Sequence, residues 1–396
     1  MRGFAVLGIL LANISAFAHP ELAYYWPPAL PGGGTASDGW IWLAQFTLVD
    51  GKFRGLFTLL FGIGLALFVA RAGGGAPAIV LQVRRLAWLA LFGVLHFYLL
   101  FPGDILFAYA TGGAVALLAI GWNARTLVTV GVLVALAGGL LQTLNFLGPA
   151  LIEAQALAGT GVPEGWPALQ TFWAGVVADS AVQARAMAGP SLAGLVGWRW
   201  DENSWRLGYT LTHNFFETIP LILIGMGLYR GGLFTKPMLR QHWRGFAWAG
   251  VAVGLALNFG IGLYVLRAGF PPFQTQAAFF GLSLLTNLPL LLGAIVLLPE
   301  AALAIRDDWL GERLGDAGRM AFSNYIGTSL VMALMFQGWA GARFAQMPRA
   351  ELLLVVVMGW AMMIAASRLW LARFRHGPLE WLWRCLTYRR IVPNRC

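Results

Sequence analysis

Apolar residues run along this chain in blocks of about 17–25, the length a helix needs to cross a bilayer. Ten such blocks can be marked, at 3–18, 53–70, 86–101, 104–122, 126–147, 205–229, 243–266, 276–298, 320–340 and 352–371. A Pro/Gly-rich loop over 20–39 and a short aromatic segment over 40–49 separate the first two. Residues 148–204 are more polar, with apolar runs broken by Gly and Pro, and read as an extramembrane loop carrying one or two surface helices. A charged helix is expected over 300–316, and a basic tail over 372–396. The pattern predicts an all-α, polytopic integral membrane protein of about ten transmembrane helices, folded as one domain over 1–396.

Composition agrees. Hydrophobic residues make up 59% and charged residues 11% of the chain, against roughly 45–50% and ~25% in soluble domains. A chain this apolar has too little polar surface to fold alone in water. The net charge of +10 comes almost wholly from arginine, since Lys52 and Lys236 are the only lysines. The arginines lie between blocks and in the tail, which points to membrane topology and not to nucleic acid. Arg71, Arg84 and Arg85, then Arg125, then Arg230, Lys236, Arg240 and Arg244, then Arg306, Arg313 and Arg319 fall in alternate connections. The intervening connections are acidic or nearly neutral. The positive-inside rule then sets both termini in the cytoplasm and 148–204 in the periplasm. Arg2 and the Ala16-Phe17-Ala18 triplet would also suit a cleaved signal peptide, but the later spans need the first as a helix for orientation. Cys385 and Cys396 are too few for a disulfide framework and read as free thiols.

With that orientation, the rare ionisable residues of the spans collect toward the outer face: His19, Lys52, Arg54, His96, Asp104, His213 and Glu217. Ionisable groups at membrane depth mark sites or pathways. His213 and Glu217 are four residues apart, on one face of a continuous helix. Each residue also has a structural role open to it. Asp104 can cap a helix after Pro102-Gly103, Lys52 and Arg54 can snorkel, and the histidines can bond neighbouring groups. Asn13, Asn145, Asn258, Asn287 and Asn324 suit interhelical hydrogen bonds. No metal-ligand spacing, nucleotide loop or Gly-x-Ser-x-Gly motif is present.

Five segments resemble the YeiB family of bacterial inner-membrane proteins, catalogued as domain of unknown function 418. They are Arg2-Gly3-Phe4 through Asn13-Ile14, Lys52-Phe53-Arg54 with Leu56 to Gly62, His96 with Gly103-Asp104-Ile105-Leu106 and Tyr109, Gly318-Arg319-Met320-Ala321 with Asn324-Tyr325, and Gly377 to Arg384 with Leu386-Thr387. Family members usually have a Leu-Asp pair just upstream of Arg2, and this sequence begins too late to show it. More distantly, the chain is similar to membrane acyltransferases that carry an acyl group from cytoplasmic acyl-CoA to an acceptor outside. Their first helix has an arginine followed eleven positions later by a polar residue, as Arg2 and Asn13 are here.

The resemblance implies a multi-pass protein of the bacterial inner (plasma) membrane. Its implied chemistry has His96 as base, Asp104 as its orienting partner and Asn13 as a donor to the acyl carbonyl. Lys52, Arg54, Tyr109, Arg2, Arg319, Asn324 and Tyr325 would bind substrate; His213 and Glu217 belong to no motif of the resemblance and are secondary candidates on their spacing alone. No tightly bound cofactor and no metal are expected, with acyl-CoA as co-substrate. The expected partners are membrane lipids and, with acyl-CoA, a sugar or lipid acceptor; an oligomer is left open, and no nucleic acid is expected. The competing reading is a transporter, or a lipid- or small-molecule-binding protein, with a polar site near the outer face.

Overall fold

A computed structural model describes residues 1–159 and 161–395, apart from the side chains of His213 and Asn214. The secondary candidate His213 therefore lies outside the described residues, as does Cys396. The described residues form an all-α bundle, with one isolated bridge between Phe374 and Arg395. Among the described residues, six helical stretches are long and apolar enough to cross a membrane: Ala36–Arg71, Gly75–Leu99, Ala124–Leu157, Pro237–Arg267, Pro272–Ala304 and Arg349–Leu371. Shorter apolar helices at Arg2–Ala18, Leu106–Ala119, Thr218–Arg230 and Ala321–Phe336 stand at the other four predicted blocks.

Helix α1 (Arg2–Ala18) is a core element, packed against five other helices. At Gly3 and Gly8 a side chain would strike the Leu314 carbonyl and the Phe53 ring. A short α2 (Glu21–Tyr25) leads to α3 (Ala36–Leu48). The aromatic segment at 40–49 thus belongs to a helix, and Trp42 and Phe46 stack with ring centroids 5.0 Å apart. Gly51, at φ +75°, turns the chain into α4 (Lys52–Arg71), a conformation that glycine adopts without steric cost. Next come α5 (Gly75–Leu99), α6 (Leu106–Ala116) and α7 (Ala124–Leu157). The fifth block does not end at 147. The helix continues through Pro149, because neighbouring packing in a membrane protein compensates the lost hydrogen bond.

The 148–204 region also holds α8 (Trp166–Ala188) and α9 (Leu192–Asn203). The sixth block is two helices, α10 (Trp205–Phe216) and α11 (Thr218–Arg230), broken at Glu217. Pro220 accounts for the break: its ring would clash with the carbonyl of residue 216, four positions back. His213 and Glu217 therefore do not share one continuous helix. Then come α12 (Pro237–Arg267), α13 (Pro272–Gln276), a π-turn over Ala277–Leu282, and α14 (Ser283–Ala304). The charged helix begins later than expected, as α15 (Trp309–Arg319), because α14 takes up the residues through Ala304. The chain ends with α16 (Ala321–Phe336), α17 (Arg349–Leu371) and the amphipathic α18 (Pro378–Tyr388).

Candidate functional site

His96 lies in the last turn of α5, and Asp104 lies just before α6, across the Pro102-Gly103 turn. The turn brings His96 Nδ1 to 2.8 Å from Asp104 Oδ1, and both side chains are only 1% exposed. The other oxygen, Asp104 Oδ2, accepts from the Phe107 backbone N–H at 2.7 Å. The carboxylate thus caps α6 and orients the histidine at once. A carboxylate at Nδ1 favours the tautomer with the proton there and leaves a lone pair on Nε2. Among the described residues Nε2 has no hydrogen-bond partner. The Tyr325 ring lies against the imidazole, with centroids 4.9 Å apart, and its hydroxyl accepts from the Ile105 backbone N–H at 3.3 Å.

The corner is sealed from the side. Arg199 of α9 is fully buried and donates to the carbonyls of Tyr98 and Leu100 at 2.8 and 3.4 Å. Gln337 Nε2 donates to the Leu100 carbonyl at 2.9 Å. These contacts satisfy carbonyls that the end of α5 leaves open.

A cavity of about 1020 Å³ opens at the opposite end of the bundle. Arg2, Arg85 and Arg319 line it, as do Tyr109, Ile105 and Tyr325. Tyr325 also borders a void of about 10 Å³ together with Asn13, Thr328 and Ser329, the scale of a single water. Tyr109 donates to the Arg54 carbonyl at 3.3 Å and accepts from Thr58 at 3.1 Å.

Lys52, Arg54 and Asn324 are engaged away from the cavities, and Arg319 is held at the cavity wall. Lys52 Nζ donates to the Phe46 carbonyl and, at 3.1 Å, to Asn258 Oδ1, tying the α3–α4 turn to α12. It lines neither cavity. Arg54 donates to both oxygens of Glu217, at 2.5 and 2.6 Å. Asn324 donates to the Ala317 carbonyl and to Ser367, at 3.1 and 2.9 Å. Arg319 donates to the Arg375 carbonyl at 3.1 Å.

Two groups of residues escaped the sequence reading. The first is a buried network at the His96 end. Asp50 accepts from Tyr24 at 2.9 Å and from Gln45 at 3.3 Å, and Arg349 donates to the carbonyls of Ala23 and Tyr24 and to Gln45. His19 is buried beside it. Burial and the Arg349 charge lower its pKa to about 4. Arg349 precedes an apolar run with Glu351 two residues on and reads as an ordinary helix-end charge, so the sequence carried little signal of its burial. The second group is on α18. Glu380 accepts from the backbone N–H groups of Phe322 and Ser323 and from the Ser323 hydroxyl, capping α16 from outside. Burial raises its pKa against those hydrogen bonds.

The fold and these sites define a multi-pass, all-α membrane protein with a buried His–Asp pair and an arginine-rich cavity. The chain belongs to the YeiB-like family of proteins of unknown function. Residues 228–390 match the family model described as "Protein of unknown function (DUF418)". The chain is 31% identical to "Uncharacterized protein YeiB" of Escherichia coli (strain K12), covering 99% of this chain and 96% of that protein. It is 28% identical to "Uncharacterized protein YxaH" of Bacillus subtilis (strain 168), covering 98% and 92%. No solved structure matches it.

Proposed function

We propose that this protein is a membrane-embedded acyltransferase of the bacterial inner membrane, with ten spans and both termini in the cytoplasm. It would move an acyl group from cytoplasmic acyl-CoA to a hydroxyl or amine of a sugar or lipid on the far side. The observation that carries the reading is the alignment of parts. A buried His–Asp pair, whose Nε2 has no partner among the described residues, sits against Tyr325, which lines an arginine-rich cavity.

In this reading His96 Nε2 takes the proton of the acceptor as its oxygen or nitrogen attacks the thioester carbonyl carbon. The new O–C or N–C bond forms and the C–S bond breaks. The imidazolium, stabilised by Asp104, returns the proton to the departing thiolate, giving free CoA. Asn13 donates to the carbonyl oxygen as negative charge develops there. Arg2 and Arg319 hold the CoA phosphates in bidentate fashion. Lys52 and Arg54 hold the framework around the site through Asn258 and Glu217.

Purified protein in lipid nanodiscs, given radiolabelled acetyl-CoA, should release CoA slowly by transfer to water and faster once an acceptor is added. A protein that releases no CoA from acetyl-CoA or from longer acyl-CoA esters, and that CoA does not protect against heat, would not be an acyltransferase.

A further inference from the structure

The wall of the large cavity carries six arginines, Arg2, Arg71, Arg85, Arg319, Arg375 and Arg384, against one carboxylate, Glu380. Glu380 is already committed to the start of α16. Two of the arginines, Arg375 and Arg384, belong to the C-terminal segment, which also supplies Trp383 to the same wall. Arg85 is clamped between the rings of Phe68 and Trp383, 4.8 and 4.2 Å from their centroids, so its guanidinium is held in place before any ligand arrives. Beside it, Gln82 is 1% exposed, its Oε1 without a partner among the described residues, on the same cavity wall. Further in, the wall turns apolar through Leu60, Phe61, Leu89 and Leu106. His96 lies eleven residues beyond Arg85 on α5, about 16 Å of helix rise.

A ligand that fits must neutralise several arginines at one end and present a long, weakly polar arm at the other. A phosphate monoester carries about −1.5 to −2 charges and matches the arginine fork, so one phosphate would leave most of the six arginines uncompensated. We infer that α18 and the turn before it complete a binding site for a ligand whose head carries at least two phosphate groups and whose arm runs along the apolar wall. The site concerns the donor half of the proposed reaction and stands whether or not transfer occurs. The head could come from a soluble CoA-type ester or from a membrane lipid with more than one phosphate; the recognition chemistry is the same.

Binding to the full-length protein in nanodiscs separates these sources. Calorimetry with CoA and with inorganic phosphate forms one arm. Native mass spectrometry with cardiolipin and with phosphatidylcholine forms the other. CoA or cardiolipin should bind far more tightly than its control. Arg375→Gln and Arg384→Gln, both at exposed positions, should each weaken that binding by roughly tenfold while leaving the melting temperature of the unliganded protein unchanged. Binding in the CoA arm alone assigns the soluble source. Binding in the lipid arm alone keeps the site and removes CoA as donor. Failure of both ligands, or affinity indifferent to both substitutions, overturns the inference.

Discussion

His96 and Asp104 form a pair in which one carboxylate oxygen orients the imidazole and the other holds the start of α6. Their closeness was legible in the sequence, because a Pro-Gly turn between two apolar blocks leaves little freedom in placing the residues that flank it. His96→Ala should lower CoA release by about 10²–10⁴-fold, the usual worth of a general base, in a protein that still folds. Full activity would remove His96 from the chemistry. Asp104→Asn keeps an oxygen for the cap but can donate to Nδ1 and favour the wrong tautomer, so it should lose activity while the fold survives. His19 behaves differently. Its pKa falls from an ordinary value near 6.5 to about 4, so the unfolded chain binds more protons between those values. The stability it confers is complete above pH 6.5 and declines as pH falls toward 4, by about 2 kcal/mol at pH 5. Melting temperatures at pH 7.5 and pH 5 should show this loss, and His19→Gln should flatten it. Equal pH dependence in both proteins would show that another group is responsible.

At the scale of elements, α18 depends on Glu380. The carboxylate satisfies two backbone N–H groups and a hydroxyl at the start of α16, where the helix has no side-chain cap of its own. Trp383 adds a bond from Nε1 to the Arg85 carbonyl at 2.8 Å. Glu380→Ala should cost about 1.5–3 kcal/mol for the charged hydrogen bonds and loosen α18 before the rest of the bundle. In a Cys396→Ser background, Cys385 on α18 should react faster with a maleimide; an unchanged rate would show that α18 is held by other contacts. The sequence showed α18 only as part of a basic tail. The break at Glu217 and the continuation of α7 past Pro149 were also hidden. A proline's effect is decided by which carbonyl it meets and which helices stand beside it, and an apolar run does not specify either.

For the whole molecule, the ten apolar blocks and the alternation of arginine-rich connections predict both termini on one side. Within the fold, Arg2, Arg71, Arg85 and Arg384 gather at one end, and His19, Lys52, His96 and Asp104 belong to segments at the other. A reporter fused after Cys396 should give a cytoplasmic signal, and one inserted near Gly161 a periplasmic one. The opposite pair of signals would invert the proposed route from donor to acceptor.

By itself the sequence determined the class of protein. Block length against bilayer thickness makes it a polytopic α-helical membrane protein, and short-range spacing joined His96 to Asp104. The tertiary structure decided which charges act together. It spent Lys52 on Asn258 and Arg54 on Glu217, buried Arg349 beneath α2, and set the arginines of α1, α5, α15 and the C-terminal segment around one cavity. Those residues are tens to hundreds of positions apart. Only the packing of helices, set by shape across the whole bundle, brings them within reach of one ligand.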